Sequence, residues 1–379
     1  MKSLFYAKKL VGFNSVSSRT NREVSMYIEN KLKKHGFTTE RLTYLDQNKV
    51  RKFNIVGKKG SGTGGLAYAC HSDVVPADRW HSKVKGPFEP GIARDRLYGR
   101  GACDMKGSIA CMLEAVQMVS WSQMDRPVYF ICTADEECGY DGAKFVAENS
   151  EYYREIVENQ TPMIIGEPTL LEVIYAHKGS YLLEIFSKGV SAHSSTREGK
   201  NANLAMIPVL NEAKKIHDEV ESDKAYQNDL FDPPVLSWNI GINDGTSAIN
   251  MTAAQSKCTI YFRPMPNVDH DPIVDRLQKV VDENGLTMNK RYFGQPVFTD
   301  PESSFVSSSL ELARKRKART VSYGTDGGAF TEVENKIIFG PGNIAQAHTY
   351  NEWIAIEQLS LGTQMFAKFL KRYCCESSI

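Results

Sequence analysis

The chain is 379 residues long, more than one hydrophobic core usually organises, so two separately packed domains are expected. Its 46 lysines and arginines balance 45 aspartates and glutamates, which argues against nucleic acid or a membrane surface as a partner. Eight cysteines occur without a CxxC pair: Cys70, Cys103 and Cys132 lie in or beside apolar runs, where free thiols pack as small hydrophobes, and the adjacent Cys374 and Cys375 are too close for an ordinary bridge.

The opening segment MKSLFYAKKLVGFNSVSS places Lys8 and Lys9 where a signal peptide needs an unbroken apolar run. No stretch approaches membrane-spanning length, so a soluble, cytoplasmic protein is expected. From Leu66 the chain has α/β grammar: a strand over 66–70, a helix from Ser108, a strand over 128–133, a short helix from Asp141 and a strand over 163–165. Each strand-like run is followed by acidic residues or histidine, where the strands of an open α/β sheet gather ligands beyond their carboxyl ends.

Near Ser180 the grammar changes. A strand (YLLEIF), a helix (201 to about 220), strands over 235–242 and 255–262, a helix (272 to about 283) and a short strand near Leu286 give the order β-α-β-β-α-β. Such a unit closes as a helix-covered antiparallel sheet, so residues 178–292 are expected to form an inserted, ferredoxin-like α+β domain. Residues 1–177 and 293–379 are then an α/β domain with a mixed sheet and flanking helices. In its returning part a helix is expected over 309–317, a strand over 336–339 and an amphipathic helix from Ile356 to about Arg372.

Five segments of the α/β part carry metal-ligating residues: His71, Asp104, Glu137 (beside Glu136), Glu167 and His348. Each alone has an ordinary explanation, as a turn, a helix cap or a solvated acid; their number and placement set them apart. Zinc accepts imidazole nitrogen and carboxylate oxygen, and two zincs about 3.5–4 Å apart need a carboxylate that bridges them. Asp104, in the glycine-flanked GRGACDMKG, suits the bridge. His71 with Glu167 would complete one site and Glu137 with His348 the other. Asp73, two residues after His71, is placed to orient that imidazole. Glu136 diverges from Glu137 and suits a general base towards a bound water.

The runs CHSDVVP, LYGRGACDMKG, ADEECG, GEPT, AHKG, GVSAHSS, INMTAAQ, FRPMP, YGTDGGAF and GPGNIAQAHTYNE resemble, in order and over nearly the whole chain, the acetylornithine deacetylase branch of a di-zinc family. That family also contains succinyl-diaminopimelate desuccinylase, aminoacylase 1 and a glutamate-releasing carboxypeptidase. The resemblance implies the same metal ligands, Glu136 as base, Asp73 as orienting acid, and two Zn2+ per subunit, with Co2+ able to substitute. It also implies a zinc-peptidase-like catalytic domain and an inserted dimerisation or lid domain, residues 178–292, through which a homodimer forms. His193 matches a histidine that acts in the partner's active site on the oxyanion. Arg263 matches a clamp for the substrate carboxylate, and Asn250 and the 324–328 loop, with Thr325 and Asp326, match positions near the substrate. Two departures stand out: Cys70 replaces the more usual glycine before His71, and the loop after His193 lacks its usual proline.

The implied reaction converts N2-acetyl-L-ornithine to L-ornithine and acetate, in arginine biosynthesis. AHKG, GTDGGAF and AQAH point to that branch, and Asp326 would suit a cationic substrate side chain, though it reads equally as a solvated loop acid. The alternatives are a succinyl-diaminopimelate desuccinylase, which a Ser-Gly-Gly-Thr pattern in the 324–328 loop would favour, and a broader aminoacylase or dipeptidase. A metal-free binding protein on this scaffold would have lost ligands, and none is missing here.

Overall fold

The computed structural model describes residues 1–120, 122, 124–245 and 248–375. Ahead of Leu66, where no element is assigned above, the chain forms α1 (Lys2–Val11), α2 (Arg22–Lys34) and a hairpin of β1 (Thr38–Leu45) with β2 (Arg51–Lys59). Then follow β3 (Leu66–His71), β4 (Gly91–Ala93), β5 (Arg96–Tyr98), α3 (Lys106–Met118), β6 (Val128–Thr133), α4 (Asp141–Asn149), α5 (Glu151–Glu158), β7 (Met163–Ile165) and β8 (Ile174–His177). The next stretch holds β9 (Ser180–Lys188), α6 (Ala202–Ser222), β10 (Asn239–Asn243), β11 (Gln255–Phe262), α7 (Asp271–Glu283) and β12 (Thr287–Gly294). The chain ends with β13 (Val297–Phe298), α8 (Ser304–Ala313), β14 (Arg319–Val321), β15 (Lys336–Ile338), β16 (Trp353–Ala355) and α9 (Ile356–Cys374). Among the described residues no helix is long and apolar enough to cross a membrane.

Two compact units divide the chain: Met1–Ala176 with Val297–Arg319 and Thr325–Ile379, and His177–Pro296 with Thr320–Gly324. In the first, the sheet order is β1-β2-β6-β3-β7-β15-β8-β13. Strands β6, β3, β7 and β15 are parallel neighbours, and β2 and β8 flank them antiparallel. Strands β3, β6 and β7 are buried along their whole length, which is why they read as unbroken apolar runs rather than alternating ones. Helix α3, buried at ten of its thirteen positions, makes the crossover from β3 to β6. A small sheet, β16-β5-β4, pairs Trp353 with Tyr98 and so joins two stretches far apart in sequence.

The second unit has the order β9-α6-β10-β11-α7-β12 and the antiparallel sheet order β10-β11-β9-β12, a ferredoxin-like topology. Asn201 caps α6 through the N–H of Asn203, and Pro272 in the first turn of α7 needs no N–H partner there.

Two expected elements are shifted. The strand expected from Val235 begins at Asn239, because Ser237 takes a left-handed φ of 55° that breaks the extended backbone. The helix expected over 309–317 spans Ser304–Ala313: Ser303 caps it through Val306 N, and Arg314 at φ 54° ends it before further cations of the RKRK run would crowd another turn.

Candidate metal centre

The carboxyl ends of three adjacent parallel strands deliver most of the site. His71 is the last residue of β3, directly opposite Thr133 at the end of β6, after which Asp135, Glu136 and Glu137 form a turn. Gly166 and Glu167 follow β7. A Cβ on Gly166 would lie 2.5 Å from the Tyr68 hydroxyl and 2.6 Å from Ser108 Oγ, so only glycine lets the chain pass there and present Glu167. Asp104 stands just before α3, in a loop where Gly101 has φ +83° and the Asp104–Met105 peptide is cis. His348 arrives from the segment before β16 with a left-handed φ of 60°.

Asp104 joins the two histidines. Its Oδ1 lies 3.0 Å from His71 Nε2 and its Oδ2 3.3 Å from His348 Nε2. Each imidazole has a second carboxylate: Glu167 Oε1 lies 3.5 Å from His71 Nε2, and Glu137 Oε2 lies 2.9 Å from His348 Nε2. Ligand atoms of His71, Asp104 and Glu137 all fall within 4.8 Å of one another. The His71 side chain is 1% exposed, whereas that of His348 is 55% exposed, so the site opens to solvent on the His348 side.

Asp73 plays a wider part than sequence suggests. The atom nearest the His71 ring is its main-chain carbonyl, 3.0 Å from Nδ1, with the carboxylate Oδ1 at 3.6 Å. The strand ends at His71, and the chain turning back through Asp73 leaves that carbonyl facing the ring. The carboxylate instead accepts the N–H groups of Glu136 and Glu137, at 3.2 and 3.3 Å, and the Ser17 hydroxyl at 2.7 Å. Asp73 thus fixes a metal-ligand candidate on each side of it.

Residues with no assignment from sequence complete the frame. Asp135, left-handed at φ 59°, is held by Lys52 Nζ at 2.7 Å and the Tyr44 hydroxyl at 2.7 Å. Glu352 is 1% exposed and accepts four hydrogen bonds: from Gly101 N (2.9 Å), Cys103 N (2.8 Å), Asp104 N (3.0 Å) and Arg100 Nη1 (2.8 Å). The one sequence signal for Glu352 is its place at the end of AHTYNE, four residues after His348; Lys52 and Tyr44 carry none.

The charges fit bound cations. Burial opposes a charged His71 ring, yet Asp104, Asp73 and Glu167 around it raise its pKa well above the ordinary range. Asp104 and Glu137 push His348 up to about 10. Burial, reinforced by the charge of Asp104, raises Glu137 to about 7 and lifts Glu167 well above its usual value. Glu136 is also raised, by burial and by the neighbouring carboxylates against the pull of His71. Asp104, despite burial, is held low by the two histidines. Negative charge here exceeds what two imidazoles can balance, and a donor set of imidazole and carboxylate is one that divalent zinc accepts.

Thr325 and Asp326 belong to the same unit. Asp326 is 1% exposed, so it is not a solvated loop acid; its Oδ2 meets the Thr133 hydroxyl, and its Oδ1 has no hydrogen-bond partner among the described residues. Thr325 is buried and accepts Gly327 N. His193, Asn250 and Arg263 lie in the second unit. His193 is exposed, with Nδ1 2.7 Å from Ser195 Oγ, and bridges to Met251, while Asn250 O accepts Ser194 N at 2.9 Å, so His193 and Asn250 share one ladder. Arg263 donates to Ser180 Oγ at 2.6 Å and lies over the Tyr261 ring.

Residues 67–372 match the model of peptidase family M20/M25/M40. The chain is 31% identical over 379 residues to an acetylornithine deacetylase of Myxococcus xanthus, covering 97% of this chain and 96% of that one. Among solved structures, it is similar to the M20 family metallo-carboxypeptidase Sso-CP2 from Sulfolobus solfataricus, with a TM-score of 0.76 at 17% identity over 98% of this chain and 99% of that one. It is also similar to the YXEP protein of Bacillus subtilis, a dinuclear metal-binding peptidase of the M20 family, with a TM-score of 0.66 at 14% identity over 97% and 96% of the two chains.

Proposed function

The chain belongs to peptidase family M20/M25/M40 and is a hydrolytic enzyme, and from that premise we propose that it removes the N-acyl group from a small amino acid with two bound zinc ions. The observation that carries this is Asp104, whose two oxygens each face a different histidine that has a glutamate of its own. His71 and Glu167 would hold one cation, His348 and Glu137 the other, and Asp104 both; Co2+ suits the same donors. Bound there, the cations would polarise the amide carbonyl and acidify a water.

The chain's own residues do the rest. Glu136, its backbone tied to Asp73, takes the proton of the attacking water and delivers it to the leaving nitrogen, so that the C–N bond breaks to a free amine and a carboxylate. His193 stabilises the oxyanion in the neighbouring subunit's site, Arg263 receives the substrate carboxylate, and Asn250 and Thr325 contribute to holding the substrate.

The homodimer this needs is supported by the second unit: β10 lies at the edge of its sheet, and Leu204, Ile207 and Ile242 are exposed on α6 and β10. Ile207 and Ile242, with the half-buried Leu210, line a groove of about 400 Å³, a surface suited to a second copy of the chain.

The substrate reading, N2-acetyl-L-ornithine in arginine biosynthesis, rests on the named relatives and not on Asp326, whose carboxylate is buried against Thr133. Metal analysis of the purified chain is expected to find two zincs per subunit, and a panel of acetylornithine, succinyl-diaminopimelate and dipeptides is expected to favour the first. A metal-free, fully active preparation overturns the reaction; preference for another member of the panel overturns only the substrate.

A further inference from the structure

We propose that Glu352 is a positioning residue that sets the Asp104 carboxylate in place before any cation binds, and thereby couples the two halves of the metal centre. The loop 99–105 has no regular structure, so something else must hold its backbone. Glu352 does so with both oxygens: Oε1 takes the N–H groups of Cys103 and Asp104, and Oε2 takes Gly101 N and Arg100 Nη1. Four donors fill the four acceptor positions of a carboxylate, and among the described residues no hydroxyl or acceptor bonds to it, an arrangement that only the ionised form satisfies.

The position of Glu352 in the chain gives the coupling. It lies four residues after His348 and directly before β16, whose pairing with β5 brings it beside Arg100; its own carbonyl accepts Gly99 N at 3.1 Å. The segment that carries His348 therefore ends in the residue that grips the loop carrying Asp104. Without cations the neighbouring carboxylates oppose the pull of the two imidazoles on Asp104. Glu352 supplies the attraction from behind, through backbone N–H groups that do not depend on metal.

This inference rests on the two-cation reading above, and its test separates the two. Glu352→Gln has the same shape but replaces one acceptor oxygen with an amide nitrogen, which sets a donor against one pair of N–H groups. The expected result, from titration of the metal-free protein with Co2+, is a cation affinity 10- to 100-fold weaker than wild type, of the order seen when partners behind metal ligands are removed, with an altered cobalt absorption spectrum. A merely structural residue would lower the melting temperature yet leave the folded protein with wild-type affinity and spectrum, and that outcome overturns the proposal. Should the variant not fold, amide exchange in metal-free wild type decides. Protection of the Gly101, Cys103 and Asp104 amides comparable to that of β3 supports Glu352 as the anchor, and free exchange in the folded protein overturns it. If wild type binds no Co2+, the two-cation reading fails, while the amide exchange still judges whether Glu352 holds the loop.

Discussion

Lys52 Nζ lies 2.7 Å from Asp135 Oδ1, with side-chain exposures of only 1% and 3%, one residue ahead of the turn that delivers Glu136 and Glu137. Lys52 also donates to the carbonyls of Ser17 and Arg19, so a single ammonium ties the 17–19 loop to that turn. Buried pairs of this kind are costly to break because the survivor keeps its charge out of water. Lys52→Met is expected to destabilise the protein by about 3–5 kcal/mol, measured by urea unfolding. A loss below about 1 kcal/mol would mean that water reaches Asp135 and that the pair is not the anchor of the turn.

Glu136 touches the cluster through its backbone, whereas the proposed ligands carry the cations. Glu136→Ala should therefore keep both metals and lose about 10²–10⁴-fold in turnover. Wild-type turnover in a variant of unchanged metal content would exclude Glu136 as the base.

His193 is exposed on the second unit, hydrogen-bonded to Ser195. His193→Ala should leave unfolding unchanged while abolishing most turnover. Mixing it with Glu136→Ala subunits should restore part of the activity, because one site in a mixed dimer then receives both groups. Subunit mixing that restores nothing would place the action of His193 within its own subunit.

Lys336 is 6% exposed, donates to Phe330 O at 2.8 Å and Val333 O at 2.6 Å, and is pushed by burial down to about 8. A lysine whose folded-state pKa lies below its unfolded value costs stability while it is charged. Below about pH 8 both states hold the proton and the full cost is present; between about 8 and 10.5 the unfolded chain binds more protons, so stability from this group rises with pH. Relative to Lys336→Met, wild type should gain on the order of 3 kcal/mol across that window. The slope of the difference is diagnostic, since the variant also strands two carbonyls and shifts the offset. Parallel pH dependences in the two proteins would show that the ammonium is solvated.

Much of the architecture is legible before folding. The unbroken apolar runs at 66–70, 128–133 and 163–165 announce buried parallel strands because a strand covered on both faces has no polar side to alternate with. The β-α-β-β-α-β grammar is equally plain, since each of its elements carries its own periodicity. What fails is what depends on single backbone angles: Ser237 and Arg314, both left-handed, cut short a strand and a helix that composition alone would prolong. Helices α1 and α2 are open to the same reasoning, since Tyr6 with Leu10, and Val24, Ile28 and Leu32, recur at helical spacing on their buried faces.

In the candidate site, His71, Asp104, Glu137, Glu167 and His348 can be picked out from the chain because hard donors following apolar runs are conspicuous one segment at a time. That Asp104 faces both imidazoles, that Asp73 grips the Glu136–Glu137 turn, and that Lys52 and Glu352 stand behind the ligands belong to the fold alone. A supporting residue is defined by the backbone N–H or buried charge it meets, and those partners lie up to 252 positions away, beyond the reach of any local pattern.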